Sequence, residues 1–153
     1  MIVLDADVLV VDLRYGRDAR FAANRKALDQ LQQAQSPLAI TCHTLLEILG
    51  ILAFNYSTRD LLDLAIHLPI HYRISVVPDP ANNPSYAGLT FEDVRDAIVR
   101  QLAIGDAVTF LQVERFIPQA TCFLTWNARH FVGKLPISVL TPEEWLQQNP
   151  PGP

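Results

Sequence analysis

The sequence predicts an α/β fold in which a mainly parallel sheet carries helices on both faces. Three observations lead there. Short apolar runs of strand character alternate with longer stretches of helical period along the whole chain. Helical stretches separate the runs, which suits parallel crossovers. Three capping signals, STRD, TFED and TPEE, mark helix starts.

Taken in order, Ile2 to Leu4 reads as a short strand, followed by helices over Leu9 to Tyr15 and Arg20 to Ala34. Pro37 to Thr41 is a second strand. Thr44 to Asn55 and Thr58 to Leu68 are helices, the second opened by STRD. Tyr72 to Val77 is a third strand. Phe91 to Ala103, opened by TFED, and Ala107 to Phe116 are helices. Thr121 to Trp126 and Ile137 to Leu140 are the last strands. TPEE, with Pro142 at the first helical position, starts a short final helix. The 153 residues suit one domain over residues 1–148, with NPPGP as a flexible tail over 149–153.

Composition narrows the function. Half of the chain is apolar, enough for a sizeable core, and 18% is charged, below the roughly 25% usual for soluble proteins. The net charge is -4, so contact with nucleic acid has to come from a local basic patch. The opening MIVLDADVLV lacks the basic segment of a secretory signal. No apolar run reaches the roughly 20 residues that span a bilayer. Cys42 and Cys122 lie far apart in apolar segments and read as buried free thiols. A soluble, cytoplasmic protein is expected.

In open parallel sheets, ligands bind beyond the carboxyl ends of the strands. Asp5 ends the first strand. Glu47 stands in the helix HTLLEILGILAF, apolar nearly all round and therefore expected to be buried. A carboxylate there has to be paired, neutralised or bound to a metal. Asp106 follows Gly105 and precedes AVTFL. Taken singly, Asp5 and Asp106 read as well as caps, and Glu47 as a protonated or solvent-reaching side chain. Together the three can converge at one sheet edge, and carboxylate oxygens suit Mg²⁺ or Mn²⁺.

Four segments in this order, the opening IVLDAD, TLLE, GDA and FLTWNARHF, resemble the PIN domain, and within it the VapC-like ribonuclease toxins and their stand-alone relatives. The resemblance covers nearly the whole chain. It implies a three-layer α/β/α sandwich around a mainly parallel five-stranded sheet. It implies a Mg²⁺- or Mn²⁺-dependent endoribonuclease that cleaves RNA phosphodiesters with metal-activated water. Catalytic and metal-binding roles pass to Asp5, Glu47 and Asp106, and supporting positions to Asp7, Thr125 and Asn127. Asn127 departs from the pattern, because an amide replaces the family's fourth acid. Asp7 departs the other way, as an acid where a small neutral residue is common. The resemblance further implies a homodimer, built by helices between Leu45 and Leu68, and a possible antitoxin partner.

RNA-binding candidates are Arg14, Arg17, Arg20 and Arg25, which crowd the chain soon after Asp5, and Arg129 beside Asn127. A solvated helix face explains the first four equally well. His43, His67 and His71 show no useful spacing to the acids, and His130 reads as structural. Two alternatives stay open. LDADVL partly fits the opening of haloacid-dehalogenase-like phosphatases, although Leu9 and the scarcity of late lysines fit poorly. With Asn127 in place of an acid, the domain can also be a module that binds RNA or a protein without cutting.

Overall fold

A computed structural model describes residues 1–82 and 88–150. Five strands, β1 (Ile2–Leu4), β2 (Leu38–Thr41), β3 (Ile74–Val77), β4 (Cys122–Leu124) and β5 (Ser138–Leu140), form one sheet in the order β3-β2-β1-β4-β5. All four neighbouring pairs are parallel. The helices are α1 (Ala6–Arg14), α2 (Phe21–Gln33), α3 (Cys42–Leu52), α4 (Thr58–Tyr72), α5 (Phe91–Val99), α6 (Ile104–Phe116) and α7 (Pro142–Gln148). Of the expected tail, residues 151–153 lie outside the described residues.

The alternation of side chains along each strand builds the layers. Val3 pairs in register with Ala39 and Phe123. This row packs with Ala97, Ala107, Phe110 and Val113 of α5 and α6. The intervening residues Leu4, Ile40 and Leu124 point the other way and pack with Leu9, Leu28, Ile48, Leu68 and Trp145 of α1, α2, α3, α4 and α7. Both faces are thus covered, which is why the strands read as continuous apolar runs. The thiols of Cys42 and Cys122 are buried and free. Among the described residues, no helix is long and apolar enough to cross a membrane.

Local chemistry sets most helix ends. The boxes at Thr90/Asp93 and Thr141/Glu144 both close as the sequence predicts. Several boundaries differ from expectation, those of α3, α5, α6 and β3 by two to four residues, and two of the differences have a clear physical reason. The first helix begins at Ala6 rather than Leu9, because Asp5 both ends β1 and caps α1. The fourth runs through Pro69 to Tyr72 instead of stopping at Leu68. The proline forfeits one backbone hydrogen bond, but Leu68 and Tyr72, each 2% exposed, anchor the last turn in the core. The helix then ends on Arg73 in the left-handed region.

The expectation that the Glu47 helix is buried is corrected. Leu45, Ile48 and Leu52 face the core, whereas Leu46, Glu47 and Gly50 are exposed. Its apolar outer face is uncovered in this chain, so apolar composition alone overstated its burial.

From β1 the chain steps outward to β2 and β3, then returns to place β4 on the other side of β1. The sheet therefore has its switch point between β1 and β4, and it is beyond the carboxyl ends at such a point that open α/β sheets bind ligands.

Candidate active site

At that switch point β1 runs into Asp5 and β4 into Thr125. The Asp5 backbone N–H donates to the Leu124 carbonyl at 2.9 Å, which fixes the two strand ends side by side. Asp5 is 7% exposed. Its Oδ1 accepts from the Ala6 N–H at 2.8 Å and its Oδ2 from the Thr125 hydroxyl at 2.7 Å. The same hydroxyl lies 3.2 Å from Asp7 Oδ2, which also accepts the Trp126 backbone N–H at 2.9 Å. The Asn127 N–H in turn donates to Thr125 Oγ1 at 3.0 Å. One hydroxyl thus joins two carboxylates, and it carries only one proton to give them.

Neither carboxylate forms an ion pair among the described residues. Asp5 is pushed up to about 7, first by burial and then by the charge of Asp7, with Asp106 adding a smaller push. Asp7 is pushed up to about 6, chiefly by burial. Its Oδ1 is buried and has no hydrogen-bond partner.

Asp106 sits in the first turn of α6, three residues past the cap Ala103, and is not itself the cap. The N-terminal end of a helix favours negative charge. Its Oδ2 lies 2.9 Å from His130 Nδ1, so the imidazole donates when Nδ1 carries the proton. Glu47 is exposed as a residue, yet its carboxyl is raised to about 7, first by the protein around it and then by the charges of Asp5 and Asp106. All four acids therefore bear on one region. Among the described residues, however, no three His, Cys, Asp or Glu side chains stand close enough to hold a metal ion as they are.

Asn127 opens the 3-10 turn Ala128–His130 and is exposed, and its side chain makes no capping bond. Among the arginines, only Arg20 is tied to the site. Its guanidinium lies 5.7 Å from the centre of the Trp126 ring and pairs with Asp18 at 2.8 Å. Arg25 is bound to Asp12 and Asp29 at 3.1 and 3.0 Å, and Arg14 reaches the Ile51 carbonyl at 3.4 Å. Arg17 and Arg129 are exposed.

Sequence reading missed two histidines. His130 contacts Asp106, and a methyl group at Gly105 would sit 3.7 Å from His43 Nε2, which places His43 beside the start of α6. The His130 contact spans 24 positions of chain, so local spacing held no signal for it. A cavity of about 430 Å³ lined by Leu31, Pro37, Leu38, Tyr72 and Arg73 lies at the amino ends of β2 and β3. That is the opposite sheet edge from the acids.

No protein-family model matches the sequence, and no curated protein matches it. Solved structures do match. The chain is similar to a structure of FitAB bound to an IR36 DNA fragment, with 18% identity, a TM-score of 0.55, and coverage of 94% of this chain and 96% of that one. It is similar to FitAcB from Neisseria gonorrhoeae, with 16% identity, a TM-score of 0.55, and coverage of 93% and 98%. It is also similar to VapC20 of Mycobacterium tuberculosis, a sarcin-ricin loop cleaving toxin, with 17% identity, a TM-score of 0.52, and coverage of 80% and 87%.

Proposed function

The fold is PIN-like, and on that premise we propose that the chain is a metal-dependent endoribonuclease and the toxin of a toxin–antitoxin pair. One observation carries this reading. Asp5 and Asp7 take their hydrogen bonds at the switch point of the sheet from neutral donors, Asp7 and Asp106 press their charge onto Asp5, and Asp5 and Asp106 press theirs onto Glu47, with Arg20 a weaker opposing charge on Asp7. A protein that gathers negative charge at a ligand-binding edge, with no ion pair to Asp5 or Asp7 among the described residues, is built to receive a cation there.

The residues fit a divalent metal in chemistry and charge. The donors are carboxylate oxygens, the ligands that Mg²⁺ and Mn²⁺ take. Asp5, Glu47 and Asp106 would hold the ion once their side chains close on it, with Asp7 beside them. When bound, the metal neutralises phosphodiester charge and makes water a better nucleophile. Thr125 orients Asp5 through its hydroxyl, and His130 orients Asp106. Arg20, which lies against the Trp126 ring, would meet a phosphate.

Partners belong to the same reading. Leu62, Ile66 and Ile70 recur one turn apart on α4 and are exposed, as are Leu46 and Phe54. This face would form a homodimer and leave apolar surface for an antitoxin segment, in a protein that works in the cytoplasm. The test is incubation of the pure protein with total RNA in Mn²⁺ or EDTA, beside Asp106→Asn. Cleavage that needs the metal and vanishes in the variant is expected. Metal-independent or variant-insensitive cleavage would sink the reading.

A second reading rests on Asn127, which puts an amide where a fourth acid falls in similar domains. In that reading the chain binds RNA or a protein and does not cut. RNA retained in a binding assay, with no cleavage at any Mn²⁺ concentration, would select it.

A further inference from the structure

Asn24 is 0% exposed, at the end of the first turn of α2, on the buried side that also carries Ala27, Leu28 and Leu31. A buried amide is costly unless both its ends are bonded. Both are: Nδ2 donates to the Val8 carbonyl at 2.8 Å, and Oδ1 accepts the Trp126 indole N–H at 2.9 Å. The amide therefore ties α1 to the segment that follows β4. The same two pieces of chain meet again at the acids, where the Trp126 backbone N–H donates to Asp7 and the Thr125 hydroxyl to Asp5. Val8 directly follows Asp7, so the amide holds its carbonyl and the Trp126 ring within one residue of each site contact. Arg20, the cap of the same helix, lies 5.7 Å from the centre of that indole.

We propose that Asn24 is a positioning residue for the acidic site, acting through Trp126 to set the segment 125–127 against Asp5 and Asp7. α2 contributes no acid to the site, yet through Asn24 its packing is transmitted to both aspartates. This rests on the metal-site reading for its effect on function, but not for its geometry.

The test compares Trp126→Phe with the wild-type chain. The variant keeps an aromatic six-membered ring and loses the indole N–H together with the rest of the five-membered ring. Backbone hydrogen exchange is expected to speed up at positions 125–127 while the core strands keep their protection. The Mn²⁺ dissociation constant is expected to rise by about tenfold, the lower end of what outer partners of metal ligands contribute. Asn24→Ser, if it folds, should show the same local pattern. A variant with unchanged exchange at 125–127, or one whose exchange rises evenly over the whole sheet, would overturn the proposal and leave Asn24 a plain core strut. Unchanged Mn²⁺ affinity beside a wild type that binds Mn²⁺ would overturn it as well. A wild type that binds no Mn²⁺ is a failure of the metal-site reading instead, and the exchange pattern then decides about Asn24.

Discussion

Two buried regions at α1 hold carboxylates in opposite ways. Asp12, with a side chain 5% exposed, accepts the Tyr72 hydroxyl at 2.6 Å and faces Arg25 at 3.1 Å. Arg25 also pairs with Asp29, so this knot ties α1 to α2 and α4. About two turns earlier, Asp5 and Asp7 have neutral donors and no ion pair. An unpartnered oxygen does not separate the regions, since Asp7 Oδ1 and Asp12 Oδ1 are both buried without a hydrogen bond. A direct ion pair does. Where the chain pairs the carboxylate with its own cation, the carboxylate is structural. Where it supplies only the weaker, unpaired influence of Arg20 on Asp7, most of the charge is left for something outside the chain to balance.

The largest expected effect is on activity. Asp5→Asn, Glu47→Gln and Asp106→Asn should each lower metal-dependent cleavage by orders of magnitude, measured as initial rates on RNA in Mn²⁺. Their metal-free melting temperatures should hold or rise, because each substitution relieves like-charge repulsion. A strong loss of metal-free stability in Glu47→Gln would make that residue structural and blur the contrast.

Asp12→Ala should behave in the reverse manner. It strands the Tyr72 hydroxyl and one contact of the half-exposed Arg25 guanidinium, at a cost of about 1–3 kcal/mol. Urea unfolding should show this loss equally with and without Mn²⁺. A stability loss that metal reverses would mean that Asp12 belongs to the site.

Next in size is a pH effect. Asp5, Asp7 and Glu47 stand near 7, 6 and 7 in the folded protein, against ordinary carboxyl values near 4 in the unfolded chain. Between about pH 4 and 7 the folded state therefore binds more protons than the unfolded one. Their contribution to stability is full at the acid end of that window and is lost as pH rises through it. Metal-free melts from pH 4.5 to 7.5 should fall more steeply for the wild type than for Asp5→Asn. Equal slopes would show that Asp5 keeps an ordinary affinity for protons.

The smallest effect separates two arginines. If Arg20 meets a phosphate, Arg20→Ala should flatten the salt dependence of RNA binding by about one contact, a slope change near 0.7 on single strands. Arg25→Ala should leave the slope alone and lower stability, since its guanidinium is engaged by Asp12 and Asp29. A reversed result would move the RNA path to the outer side of α2.

The sequence by itself determined the fold class, the five strands in order, the capped starts at Thr90 and Thr141, and the position of Asp5 at a strand end. Those features rest on period, capping chemistry and chain order, which are local. It also suggested that Asp5, Glu47 and Asp106 belong together. Only tertiary structure decided the rest. It showed Glu47 on an uncovered face, because composition cannot tell which side of an apolar helix finds a partner. It carried α4 through Pro69, because core packing of Leu68 and Tyr72 outweighs one lost hydrogen bond. It joined Thr125 to Asp5 and Asp7, His130 to Asp106, and Asn24 to Trp126. These partners lie between 24 and 120 positions apart in the chain, and at such separations only the crossing of elements in space decides which polar groups meet.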